Sequence, residues 1–237
     1  MTPGQLVQAM SIALNTPLET VTQHDRNLAV AGLRTTGARG RNAPHVTTLD
    51  AARLLAAILG SIRTMDSVVT VKGLESAVLH RQGDAEPEQG STDVLVFVDE
   101  RRRKEPAQDL SAIADLPRQH SFIEALDALI KFAIALPSED EAARLSYAHI
   151  LCSMPWGTAS IFIPGAEEQL RYGPGKKQLE IENMGIEQIR TIYGYVLLVI
   201  GLAFLENGLN YPTAKKATDA FLARYSGPAK PKKNIGA

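Results

Sequence analysis

The chain has 237 residues, 45% of them apolar and 22% charged, with a single cysteine and a formal net charge of −1. Such a length and composition fit a globular protein with a substantial core, built as one large domain or two small ones. The charge balance excludes a generally basic nucleic-acid binder, so any attraction to a polyanion must come from a local patch. The lone Cys152 excludes an internal disulfide and a thiolate zinc site and fits a reducing cytoplasm.

The N-terminal stretch "MTPGQLVQAMSIALN" has no Lys or Arg ahead of its apolar residues and does not read as a secretory signal. Leu6, Met10, Ala13 and Leu14 stand at helical spacing, which predicts a helix over 5–14. "NTPLE" restarts the chain with Thr16 as cap and Pro17 at the first helical position. This second helix runs to Ala31, with Gly32 as its stop and Val21, Leu28 and Ala31, with or without His24, on its apolar face. An Arg- and Gly-rich loop follows, and Thr47 or Thr48 then caps a third helix in "LDAARLLAAILGSI".

"SVVTVKGLESAVLH" reads as a further helix, and residues 83–118 as a polar linker holding one strand candidate, Val94 to Val98. Helices are expected over Phe122 to Leu136, Ile186 to Leu205 and Thr213 to Tyr225. Between the first two, "AHILC", "ASIFI", "QLRYG" and "QLEIE" read as short strands of an antiparallel sheet. The most apolar run, Ile192 to Leu205, is shorter than the ~18–20 residues that cross a bilayer, so no membrane partner is expected. The lysine- and proline-bearing end, 228–237, reads as a disordered tail.

No constellation points to catalysis. The five histidines are scattered without ligand spacing, "GPGKK" lacks the first Gly and the Ser or Thr of a phosphate loop, and His149 and Cys152 point to opposite faces of one strand. The sequence therefore predicts no enzyme, no cofactor and no metal.

The segment "ETVTQHDRNLAVAGLRTTGARGRNAPHVT" is more informative. It resembles the recognition helix and wing of ArsR- and MarR-type winged helix-turn-helix repressors. The carriers are Thr20-Val21, His24, Leu28, then Ala31-Gly32-Leu33 running into Arg34 and Gly40-Arg41, with "HVTTLDAARLL" similar to the strand and Thr-capped helix after the wing. The whole chain also looks like uncharacterised DNA-binding-type proteins of proteobacteria and their phages. The match departs at the start, where few residues precede Leu6 and the usual first helix is missing.

The resemblance implies duplex DNA as partner. Thr20, Gln23, His24 and Asn27 then face base edges, while Arg34, Arg39, Arg41 and Asn42 form the wing. Residues 1–65 hold six arginines (26, 34, 39, 41, 53, 63) against three acids (19, 25, 50), a local excess of positive charge. The bland readings stay open: a solvated Arg-Gly hairpin, a His24 packed in the core, and an "ERRRKE" cluster that is a charged surface rather than a second phosphate contact.

The expected fold class is α+β, an N-terminal winged helix-turn-helix followed by a small antiparallel sheet packed with helices. The expected units are 1–82 for DNA binding, 83–118 as linker, and 119–227 for dimerisation or sensing. The expected function is a cytoplasmic, homodimeric bacterial or phage transcription regulator, the alternative being a phage DNA-binding structural or packaging protein. A helix over 186–205 that is apolar nearly all round needs a second subunit, or other helices of the same chain, to cover it.

Overall fold

In the computed structural model the described residues are 1–37, 45–80, 111–135, 139–154, 157–166, 169–173 and 188–206. The strand candidate at Val94 to Val98, "ERRRKE", "QLEIE", the helix expected over Thr213 to Tyr225, the tail, and Arg39, Arg41 and Asn42 lie outside them.

Helices open with caps that the sequence spells out. In α1 (Pro3–Leu14), α3 (Thr48–Gly60) and α6 (Phe122–Ile134), the N-cap hydroxyls of Thr2, Thr47 and Ser121 each exchange bonds with the residue three positions on: Gln5, Asp50 and Glu124. Asn15, at φ 48°, ends α1 in the left-handed conformation. Helix α2 (Leu18–Val30) starts on Pro17 without a side-chain cap, and the Thr16 hydroxyl turns back to the Leu14 carbonyl instead. Gly32, at φ +71°, follows its end. A 3-10 turn (Thr64–Asp66) leads into α4 (Ser67–Ser76).

The sheet is antiparallel, with strand order β1-β4-β3-β2-β5. Its strands are β1 (Val78–His80), β2 (His149–Met154), β3 (Thr158–Phe162), β4 (Leu170–Gly173) and β5 (Gln188–Tyr193). The short α5 (Ser111–Ala114) and α7 (Glu139–Ser146), and the terminal α8 (Tyr195–Leu205), complete the described elements. Mixed helix and antiparallel sheet is the expected α+β class.

One face of the sheet carries Ile150, Cys152, Ile161 and Tyr172, all buried. Tyr172 meets the rings of His120 and Phe122, and Arg190 of β5 donates to the carbonyl of Ile58 in α3 at 2.8 Å, so the helices lie on this face. That contact also sets a cation at the C-terminal end of a helix, where the carbonyls favour positive charge. Ten of the thirteen residues of α3 are buried, and this helix packs on α2, α4 and α6. Among the described residues, buried side chains from Met1 to Ala203 form one cluster.

Three expectations change. Residues 188–193 are not the start of a helix but edge strand β5, where β-branched Ile189, Thr191 and Ile192 pair with β2. The expected fourth helix ends at Ser76, and Val78 to His80 join the sheet beside β4. Helix α8 is covered within the chain by α6, α1 and α7, which removes the physical reason for a second subunit on it. Among the described residues, no helix is long and apolar enough to cross a membrane.

Candidate nucleic-acid interface

The N-terminal helices place the expected site residues very differently. Gln23 is exposed on α2, and Thr20 and Asn27 are half-buried. The Gln23 amide nitrogen donates to Asn27 Oδ1 at 2.9 Å, and Asn27 Nδ2 donates to the Thr64 carbonyl at 2.6 Å. This relay of two amides ties the helix to the 3-10 turn and fixes the direction of the Gln23 carboxamide. Arg26, one turn along the same exposed face, makes no ion pair among the described residues; sequence reasoning had left it out of the site, although its i+3 spacing from Gln23 was visible. Beside this face lies a groove of about 400 Å³ walled by Gln23, Asn27, Val30, Thr64, Met65 and Val68.

His24, expected among the DNA-facing residues, is turned inward and only 3% exposed. Its Nδ1 lies 2.8 Å from Ser67 Oγ, and that hydroxyl donates to the Thr64 carbonyl. Burial, reinforced by the charge of Arg190, lowers its pKa from 6.5 to about 4. Between those values the unfolded chain holds a proton on His24 and the folded chain does not, so this contribution to stability is lost as pH falls from 6.5 toward 4. The gap amounts to roughly 3 kcal/mol at 1.36 kcal/mol per unit. Asp25, whose pKa burial raises despite Arg34, acts with the opposite sign, so wild type alone is ambiguous. The expected result is that the urea midpoint falls less between pH 7 and pH 5 in His24→Gln than in wild type; equal falls would place a charged His24 in the native state.

Arg34, expected in the wing, is instead paired with Asp25: Nε and Oδ1 are 2.8 Å apart, both side chains largely shielded, although the approach is not aligned for a hydrogen bond. Arg53 pairs with Glu75 at 2.7 Å and Arg63 with Asp66 at 3.4 Å. Three of the six arginines in the basic region therefore have acidic partners.

The loop between α2 and α3 has a defined base. Asp50 accepts from the Thr35 N–H with one oxygen at 2.8 Å, and from the Thr47 N–H with the other at 2.7 Å. Arg53 donates to the Leu33 carbonyl, and Val46 donates to that of Met1. The two stems, 33–37 and 45–47, carry no strand, so the described part of the expected wing is not a β-hairpin. Sequence reasoning gave Asp50 no role; the signal was its place three residues after Thr47.

Away from this region, burial pushes the Cys152 thiol up to about 12 and the side chain faces the helices, so Cys152 and His149 do not form a nucleophile–base pair. No family model, curated protein or solved structure matches the chain.

Proposed function

We propose that the chain binds duplex DNA with the outer face of α2 and the arginine loop that follows it, and that it regulates transcription in a bacterium or phage. The observation that carries this reading is the amide relay from Thr64 through Asn27, which holds the exposed Gln23 carboxamide in one direction beside Arg26, a cation with no ion pair among the described residues. A carboxamide held in this way can bond adenine on two atoms in the major groove, whereas an unrestrained one loses rotamer entropy on binding. Asn27 then acts mainly as a positioning residue. Arg39, Arg41 and Asn42 serve phosphates from the loop that Asp50 closes, and His24 and Arg34 support the helix from behind.

The test is selection of bound fragments from the source genome, followed by titration on the best site. A few discrete promoter sites support the regulator, whereas uniform coverage or enrichment at one packaging site favours the packaging protein. On the selected site, Gln23→Ala should lose about 1–3 kcal/mol, and much less on random duplex. Arg39→Ala with Arg41→Ala should weaken both alike and reduce the salt slope by about two. A double variant with the wild-type affinity and slope removes the loop from the interface.

A further inference from the structure

We infer that the free edge of β5 pairs with the same edge of a second copy, joining two sheets into one antiparallel sheet across a two-fold axis. The two edges of the sheet differ. Along β1, the Leu79 N–H donates to the His120 carbonyl, the Phe122 N–H donates to the Ala77 carbonyl, and Val78 bridges to Ser121, so that edge is closed. At the other edge, the register of β5 with β2 is unbroken from Gln188 to Tyr193, and the next N–H, that of Gly194, donates to the Ala148 carbonyl at 2.8 Å. Hydrogen-bonded pairs alternate along an antiparallel ladder. Gln188, Arg190 and Ile192 therefore bond to β2, while Ile189, Thr191 and Tyr193 turn their N–H and C=O groups outward. Among the described residues, nothing bonds these outward groups. The strand carries no proline, lysine or bulge, the usual guards of an open edge. Arg190, its one charge, is already committed to the Ile58 carbonyl on the helix side.

The occupant is a second copy because this edge is complementary to itself. Antiparallel pairing about Thr191 sets it opposite Thr191 of the copy, and sets Ile189 opposite Tyr193 on both sides. In this register every outward N–H and C=O of the three residues is exchanged, and a shift by one pair leaves one of the three outside the ladder. On the outer face a Thr–Thr pair then stands between two Ile–Tyr pairs, combinations that stabilise antiparallel sheets. Ile189 is 41% and Tyr193 50% exposed, and the Tyr193 ring rests against that of His149 at a centroid distance of 4.7 Å. None of the three is charged, so the copies do not repel. A two-fold contact closes on itself and, with the β1 edge occupied, stops at the dimer. Six residues make a short edge beside the ~1,200–2,000 Å² of a standard interface, so a dissociation constant on the order of 10–100 µM is expected. The contact uses neither α2 nor α8.

The experiment is sedimentation velocity of the full chain from about 5 to about 500 µM. The average mass should rise from one chain toward two and go no higher. Thr191→Pro removes an outward N–H that the fold does not use, so it should keep the wild-type circular dichroism and stay monomeric throughout. Thr191→Lys and Thr191→Glu each set like charges opposite one another and should weaken self-association about fivefold or more. An equimolar mixture of the two should dimerise within about threefold of wild type, or more tightly. That rescue requires Thr191 to face Thr191, so it reports both the copy and the register, and it decides the matter even where the proline unsettles β5. In hydrogen exchange, the Ile189, Thr191 and Tyr193 amides should gain protection as concentration rises. A constant monomer mass, species larger than a dimer, wild-type dimerisation of a folded Thr191→Pro, or a mixture no tighter than its components overturns the inference. So does protection of these amides in the monomer, because a segment of the same chain would then be the occupant.

Discussion

Asp50→Ala should lower the thermal midpoint by roughly 4–12 °C. The carboxylate makes three contacts as an acceptor: the Thr47 N–H, the Thr47 hydroxyl at 2.9 Å, and the Thr35 N–H. Losing the reciprocal cap of α3 costs about 1 kcal/mol, and leaving two backbone donors without their charged acceptor adds about 1–3 kcal/mol. Thr35 and Thr47 are exposed, so water replaces part of the loss, and about 2–3 kcal/mol in total is expected. Asn at this position keeps one good acceptor and should cost about half as much.

The pH dependence is a second readout for the same group. Burial pushes the Asp50 carboxyl up, but the hydrogen bonds from Thr47 and Thr35 outweigh it, and the net pKa lies below the ordinary 3.8. A depressed folded pKa means that the unfolded state takes up the proton first as pH falls. This contribution is therefore complete above the ordinary value and disappears below it, a window separate from that of His24. Hydrogen exchange locates the effect: the Thr35 and Thr47 amides should lose protection in Asp50→Ala under conditions where those of α6 do not. Unchanged protection at both would mean that the loop base does not depend on Asp50.

What the sequence made legible follows from how local each signal is. The caps at Thr47 and Ser121 act over three residues, and the helices they start were expected close to their observed bounds. Strands β2, β3 and β4 were legible from alternation between turns. β5 was not, because Ile189, Ile192, Tyr193, Val196 and Ile200 also fit a 3.6-residue period. What decides is pairing with β2, about 35 to 45 residues away, together with Gly194 as the boundary. In the same way, Val78 and Leu79 continue the apolar face of α4, and only their partners Gly173 and Tyr172 on β4 draw them into the sheet.

The candidate site divides along the same line. The Gln23–Asn27 pair is four residues apart on one helix, so sequence spacing alone put both on one surface. His24 also stood at helical spacing with Val21 and Leu28, the core-facing residues, and its burial agrees with that pattern rather than with the family resemblance. The pairing of Arg34 was not legible, because its partner Asp25 lies on the preceding helix and the left-handed turn at Gly32 brings the two together. A run of arginines in sequence therefore overstates the charge offered to a polyanion: pairing across a turn cancels what a count adds.

Glycine substitutions give the sharpest test of the packing. Gly194→Ala should destabilise the chain by about 4 kcal/mol or more and lower the midpoint by roughly 10 °C or more, if the protein folds at all. The cause is purely steric. Gly194 has φ −63° and ψ −14°, which alanine adopts freely, but an added Cβ would lie 1.8 Å from the Leu145 carbonyl oxygen and 2.9 Å from its carbon. Both are backbone atoms at the end of α7, and the Gly194 N–H is fixed to the Ala148 carbonyl at 2.8 Å, so neither side can withdraw without moving α7 or β5. Gly201, whose Cβ would meet Ala133 of α6 at 2.9 Å, should show a smaller loss, because two helices can separate slightly where a tight turn cannot. Gly73 provides the opposite sign: it is exposed within α4 with nothing near its missing Cβ, so Gly73→Ala should stabilise by about 0.5–1 kcal/mol through helix propensity. Circular dichroism melts of the three variants check the series. A Gly194→Ala protein with the wild-type midpoint would mean that α7 and α8 do not meet in solution as described, and the enclosure of α8 within one chain would fall with it.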